Sequence, residues 1–212
     1  MQGVVIDTNL VIDVEMKRAN YQKVLSIKTM HEQGTLQICI PAIMATEKQI
    51  NGKIVDNYKL FKQYIESLGF LNTIDLRPPC YIGMSYVGYC ILAGGGVSAL
   101  LDEIHQLLFQ PQKIEFDHRD YCNNRGFDPA AGLQKEWKNA ICDSIMLWSA
   151  VYYEKSVFIT RDQNFHNHSR DIKSKYGVEI KRPADYKPII ETSPHYRKIP
   201  SLLTTPDNRQ GL

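Results

Sequence analysis

Four carboxylates stand where an acidic site could form: Asp7, Glu47, Asp143 and Asp162. Asp7 ends the apolar run of GVVIDTNLVID at residues 3–13, whose Val4, Val5 and Ile6 suit a strand covered on both faces. On that stretch alone two readings stay open. Either Asp7 or Thr8 caps a short following helix, or Asp7 is a ligand in an acidic metal site. Asp162 lies two residues past the strand-like SVFIT at 156–160, and Glu47 lies six residues after Pro41, which follows the apolar LQICI at 36–40. Asp143 sits beside Ile141, Cys142 and Ile145, where a carboxylate is costly to bury without a partner or a metal. Each acid has an ordinary account: Asp162 as a helix cap, Glu47 as a solvated helix residue, Asp143 as the partner of a basic side chain. Gathered together, however, four carboxylates repel one another unless cations intervene. The chemistry they suit is oxygen-ligated Mg²⁺ or Mn²⁺, a water of lowered pKa and a scissile phosphodiester.

Bringing these acids together is a task for the elements between them. Residues 20–33 carry Val24, Ile27 and Met30 at helical spacing and close at Gly34. Pro41 opens a helix expected to run to about residue 68, with a break at Asn51-Gly52 and an end at Gly69. On that helix Glu47 would stand about 9 Å from the strand, at ~1.5 Å per residue. Residues 133–153 form a long helix with Trp137, Ile141, Ile145, Trp148 and Val151. SVFIT and GVEIK (177–181) are strands, with a polar helix between them. Alternating strands and helices predict a three-layer α/β/α sandwich with a central parallel sheet. Ligands of such sheets sit beyond the carboxyl ends of the strands, the edge that Asp7 and Asp162 reach. Asn139, four residues before Asp143, shares its helix face. Thr160 shares the face of Asp162 by strand alternation. Both are expected to orient the acids.

Residues 70–132 hold Pro78-Pro79, a Gly94-Gly95-Gly96 turn with Ser98 as cap, a helix from Ser98 to Phe109, and a polar loop around Asn123-Asn124-Arg125-Gly126. They read as an insertion within one domain of residues 1–186. Residues 187–212, with Pro188, Pro194, Pro200 and Pro206, read as an extended tail. A hydrophobic content of 43% and a charged content of 23% are ordinary for a soluble globular chain. No apolar run reaches the length of a membrane span, and residues 1–6 lack a signal-like basic region and apolar core. Five cysteines, odd in number and never in C-x-x-C, argue against a disulfide scaffold and a structural zinc, and make a reducing cytoplasm the expected compartment. A net charge of +2 is too mild to specify nucleic acid, and basic pairs such as Lys17-Arg18 and Lys181-Arg182 read as solvated faces. FHNHS at 165–169 reads as two exposed histidines on a polar helix, with phosphate contact open through their closeness to Asp162. Tyr81, Tyr86 and Tyr89 read as buried aromatic area, with base stacking as the alternative.

The segments VVIDTN (4–9), IPAIMATE (40–47), NAICD (139–143) and FITRDQNF (158–165) together resemble the PIN-domain nucleases. The likeness covers about residues 1–55 and 133–182. It implies a metal-dependent endonuclease, most readily an Mg²⁺- or Mn²⁺-dependent endoribonuclease, with DNA as substrate in distant relatives. By the same resemblance Asp7, Glu47, Asp143 and Asp162 hold metal, and Asn9, Asn139 and Thr160 support them. It also implies frequent homodimers, for which Tyr86, Val87, Tyr89, Ile91 and Leu92 could furnish a patch. An inhibitory or assembly partner protein stays open. The chain departs from the compact toxin type in the 96 positions from Glu47 to Asp143. Two other readings remain. One is an Asp-nucleophile phosphatase or phosphotransferase, which wants a second Asp where this chain has Asn9. The other is a PIN-like nucleic-acid-binding or protein-interaction module without turnover.

Overall fold

The computed structural model describes residues 2–47, 57–92 and 94–187. The tail expected at 187–212, apart from Lys187, and the helix break expected at Asn51-Gly52 lie outside the described residues. The apolar start forms β1 (Gln2–Ile6), followed by α1 (Thr8–Glu15), α2 (Tyr21–Glu32) and β2 (Leu36–Pro41). The expected long helix after Pro41 is not formed there. A 3-10 turn (Ala42–Thr46) leads to Glu47 in extended conformation, and α3 begins only at Tyr58 and ends at Ser67. Each of Ala42, Ile43, Met44, Ala45 and Thr46 is buried, so this turn has no solvated face of the kind an amphipathic helix presents.

The short strand β3 (Ile74–Leu76) lies within the segment read as an insertion. Three helices follow: α4 (Gly95–Phe109), α5 (His118–Arg125) and α6 (Lys135–Tyr152). Two of these revise the reading of residues 70–132. Gly95 and Gly96 are the first turn of α4, not a separate turn, and Gly94 stands at its cap. The expected polar loop at 123–126 is the end of α5, which Asp117 caps through the N–H groups of Arg119 and Asp120. The chain ends its described part with β4 (Val157–Ile159), α7 (Gln163–Asn167), α8 (Ser169–Tyr176) and β5 (Glu179–Lys181). Gly177, with φ of +72°, takes the left-handed turn that lets α8 stop two residues before β5.

All five strands pair in parallel, in the order β3-β2-β1-β4-β5. The chain lays β2 and β3 on one side of β1, then returns to lay β4 and β5 on the other. Right-handed crossovers in opposite directions put helices on both faces, which completes the α/β/α sandwich. Val4, Val5, Ile38, Ile40, Phe158 and Ile159 are fully buried, as expected of central strands covered twice. Helix α6 is the main buttress, with Trp137, Ile141, Ile145 and Trp148 wholly enclosed. Among the described residues no helix is long and apolar enough to cross a membrane.

Cysteine use departs from the expectation. Cys80 and Cys90 form a disulfide with Cα atoms 5.0 Å apart, while Cys39, Cys122 and Cys142 are buried and free. An odd total forces only one cysteine to stay unpaired, and a spacing of ten has no local signature to read.

Phe158 is fully buried on β4 and meets the edge of Phe165 at 4.9 Å between ring centroids. Phe158→Ala is expected to cost ~3–5 kcal/mol in urea unfolding, whereas Leu60→Ala, at an exposed position on α3, should stay within about 0.5 kcal/mol. Equal losses at the two positions would mean that β4 is not a central strand.

Candidate functional site

The return of the chain to β1 creates a crevice at the carboxyl ends of β1 and β4, where open α/β sheets place their ligands. The backbone N–H of Asp7 bonds to the carbonyl of Ile159 at 3.1 Å, so the two strand ends are locked side by side. A cleft of about 640 Å³ opens there, within the usual range for a ligand site. Asp7, Glu47, Asp143 and Asp162 all line it, together with Asn9 and Asn139. No acid of residues 70–132, Asp102, Glu103 and Asp120 among them, does so.

Each acid arrives by a different local route. Asp7 stands at the N-cap of α1, yet its side chain makes no capping bond. Its Oδ2 instead accepts from the Thr160 hydroxyl at 2.5 Å and from the Asn9 amide at 2.5 Å. Thr160, fully buried at the end of β4, also accepts from the Asp162 N–H at 2.9 Å. Glu47 reaches the cleft because the 3-10 turn is short, and the Thr8 hydroxyl donates to its Oε2. Asp162 caps α7 through the Asn164 N–H at 2.7 Å and lines the cleft as well, so its structural and candidate roles coexist. Asp143 has neither a hydrogen bond nor an ion pair among the described residues. Asn139 is exposed beside it, one turn earlier on α6.

Burial raises these carboxyls, and their own charges raise them further. Asp7 is pushed up to about 6, chiefly by burial, with the Thr160 bond opposing and the Asp162 charge adding. Glu47 is pushed up to about 7 by burial and then by Asp7, with Thr8 and Lys138 pulling the other way. Asp143 lies well above the ordinary carboxylate value, through burial and then Glu47, Asp7 and Asp162. The acids thus raise one another, as like charges in a buried place do. Among the described residues no group of three His, Cys, Asp or Glu is arranged to hold a metal ion by itself. One observation does fit an ion: the Asn9 Oδ1 is buried and has no hydrogen-bond partner. With four carboxylates, it makes an all-oxygen donor set suited to a hard divalent cation.

Several contributors escaped the sequence reading. Thr8 fixes Glu47. Lys135 and Lys138 line the same wall as Asn139, one turn apart on α6, and place positive charge at the mouth. Helical spacing, four residues before Asn139 and eight before Asp143, would have flagged Lys135. His166 and His168 are half-buried rather than exposed, and His166 Nε2 donates to the Thr160 carbonyl at 3.0 Å, bracing the strand end. The three tyrosines read as buried aromatic area are only partly so: Tyr81 is half-buried against Trp137, Tyr86 is half-buried with its hydroxyl on the Ala45 carbonyl, and Tyr89 packs on Tyr58 but stays exposed.

The chain matches no protein-family model, and no curated protein matches its sequence. Among solved structures it is similar to a chain of VapBC2 from Rickettsia felis, crystallised bound to a DNA fragment from the promoter. The two share 11% identity over 85% of this chain and 98% of that one, with a TM-score of 0.40. A likeness of that degree carries no argument about what this cleft does.

The raised carboxyls have a consequence for stability. Asp7 and Glu47 hold their protons to higher pH in the fold than at the ordinary values of 3.8 and 4.5. Their favourable contribution is therefore complete below about pH 4 and lost as pH rises through 6 and 7. In EDTA at pH 7.5, Asp143→Asn is expected to raise Tm by about 2–4 °C, the shift that ~1 kcal/mol makes in a chain of this size. The gain should shrink as pH falls toward 4. Calorimetry at several pH values measures it, and a variant less stable than wild type at pH 7.5 would contradict the repulsion.

Proposed function

We propose that this chain is a metal-dependent phosphodiesterase of the PIN-like kind, acting as an endoribonuclease. The observation that carries the reading is the set of four carboxylates, from four separate segments, lining one cleft at the β1–β4 switch point, where burial and their mutual charge raise Asp7, Glu47 and Asp143. Asp7, Glu47, Asp143 and Asp162 would hold Mg²⁺ or Mn²⁺. Such an ion supplies a water of near-neutral pKa and offsets charge on the phosphodiester.

The remaining steps belong to the chain's own side chains. Thr160 and Asn9 fix the rotamer of Asp7, and Thr8 fixes that of Glu47. The Asn164 N–H pins one oxygen of Asp162 and leaves the other for the cleft. Lys135 and Lys138 draw a phosphate backbone toward the α6 wall, where the Asn139 amide can donate to a phosphate oxygen. RNA is favoured over DNA by the PIN-like resemblance alone. An inhibitory or assembly partner and a homodimer are further expectations of that resemblance.

Purified protein incubated with mixed RNA and single-stranded DNA, with Mn²⁺ or EDTA, tests the reading. Cleavage should require the cation. Asp7→Asn and Asp143→Asn should abolish it with the fold intact, and Asn139→Ala and Thr160→Val should each lower it about 10–100-fold, as residues that orient ligands do. Wild-type rates in Asp7→Asn or Asp143→Asn would remove that acid from the site. Calorimetric Mn²⁺ binding without turnover would favour a binding module, and a trapped phospho-Asp7 would favour the phosphatase reading.

A further inference from the structure

The Cys80–Cys90 disulfide closes a loop that touches both sides of the cleft. At its neck Cys80 N–H bonds to the Ile91 carbonyl at 2.8 Å and Ile91 N–H to the Pro78 carbonyl at 2.9 Å. Inside it, the Ser85 hydroxyl accepts from the Tyr81 N–H and donates to the Pro79 carbonyl. Contacts from its tyrosines and from Gly83 lead outward. The Tyr86 hydroxyl donates at 3.0 Å to the carbonyl of Ala45, two residues before Glu47. The Tyr81 ring packs on Trp137 at 5.6 Å, and Gly83 lies against Leu133, both at the start of the α6 wall. The Tyr89 ring packs on Tyr58 at 4.4 Å.

The loop does not keep its shape by burying its own apolar side chains. Ile82 and Val87 are each 97% exposed, and Met84 is its one fully buried aliphatic residue. A segment with so little core depends on covalent closure and on its tyrosine contacts. Its contact at Ala45 falls on the 3-10 turn that delivers Glu47, a turn whose last backbone bond is Glu47 N–H to Met44 C=O at 3.2 Å. Such a short turn has few hydrogen bonds to keep it in register.

We infer that this disulfide-closed loop is the positioning element for Glu47, and that the thiol state of Cys80 and Cys90 sets how firmly Glu47 is held. A dithiol reductant would break the S–S bond, delivering two electrons and two protons to give two thiols and itself closing to a disulfide. The Tyr86 contact then loses its fixed support, and the 42–47 turn loosens. Where the cleft binds a divalent cation, which rests on the reading proposed above, its affinity falls with the loosening.

Full-length protein, oxidised or reduced with dithiothreitol, is compared by amide hydrogen exchange and by calorimetric Mn²⁺ titration. Reduction should speed exchange in residues 42–47, with β1 and α6 unchanged, and weaken Mn²⁺ binding about 3- to 10-fold, the worth of one hydrogen bond. The double variant Cys80→Ser with Cys90→Ser should behave as reduced wild type and ignore the reductant. Tyr86→Phe, with the disulfide intact, should loosen the same turn. Unchanged exchange at 42–47 on reduction, or in Tyr86→Phe, overturns the inference. Exchange that rises throughout the sheet also overturns it, since the bond would then be a general staple. Exchange that responds as expected in a protein that binds no Mn²⁺ supports the loop's role and overturns the hydrolytic reading instead.

Discussion

The pairing of β4 with β1 is the constraint on which the site depends. Residues 7 and 160 are remote in sequence, yet the parallel register Ile6↔Ile159 continues into Asp7 opposite Thr160. Once the strands are aligned, the Asp7 carboxylate has a buried hydroxyl beside it and the Asp162 charge close behind. Every other acid of the cleft is then added to a place already negative. The arrangement follows from topology, because only a chain that goes out from β1 and returns to its other side leaves two strand ends facing an uncovered crevice.

Two acids of α1, Asp7 at its N-cap and Asp13 within it, show how differently the fold treats carboxylates. Asp13 is fully buried, and Arg161 stands 3.4 Å from its Oδ2 with Asn20 also near. Asp7, almost as deeply buried, receives only a hydroxyl and an amide. Burial lifts Asp7 to about 6, and its neutral donors only partly oppose that, since they stabilise an anion less than a guanidinium does. A core that merely tolerated acids would be expected to give both of them a cation. Among the described residues neither Asp7 nor Asp143 is given one, and this separates the cluster from a structural ion-pair network.

Much of this was legible in the sequence because the informative positions obey simple periods. The short apolar, β-branched runs at 4–6, 36–40 and 157–159 suit covered strands, and α6 repeats its large residues every three or four positions. Asp7 was legible because it ends the first run, and Asp162 because it lies just past the last. What escaped has physical reasons. Strand β3 is three residues long, with Ile74 45% exposed and only Leu76 buried, so neither alternation nor a run marks it. The turn after Pro41 is short because it is buried all round, and a buried helix gives the same apolar signal. Helix α5 is polar and is held by its cap and by Tyr121 and Cys122 packing inward, tertiary facts that local propensity does not carry.

The middle segment also reaches the site through α6. Trp137 is enclosed there, its indole N–H donating to the Glu115 carbonyl at 3.1 Å, and the Tyr121 hydroxyl donates to Glu136 at 2.7 Å. Further along, His105 of α4 bonds to the Ser144 hydroxyl at 2.9 Å, next to Asp143. The half of α6 that carries Lys138, Asn139 and Asp143 on its cleft side is thus clamped on its other side by α4, α5 and the loop before them. A helix held along one face cannot easily rotate to let Asp143 escape the neighbouring acids. None of residues 70–132 lines the cleft, yet their packing on α6 keeps one of its four charges in place.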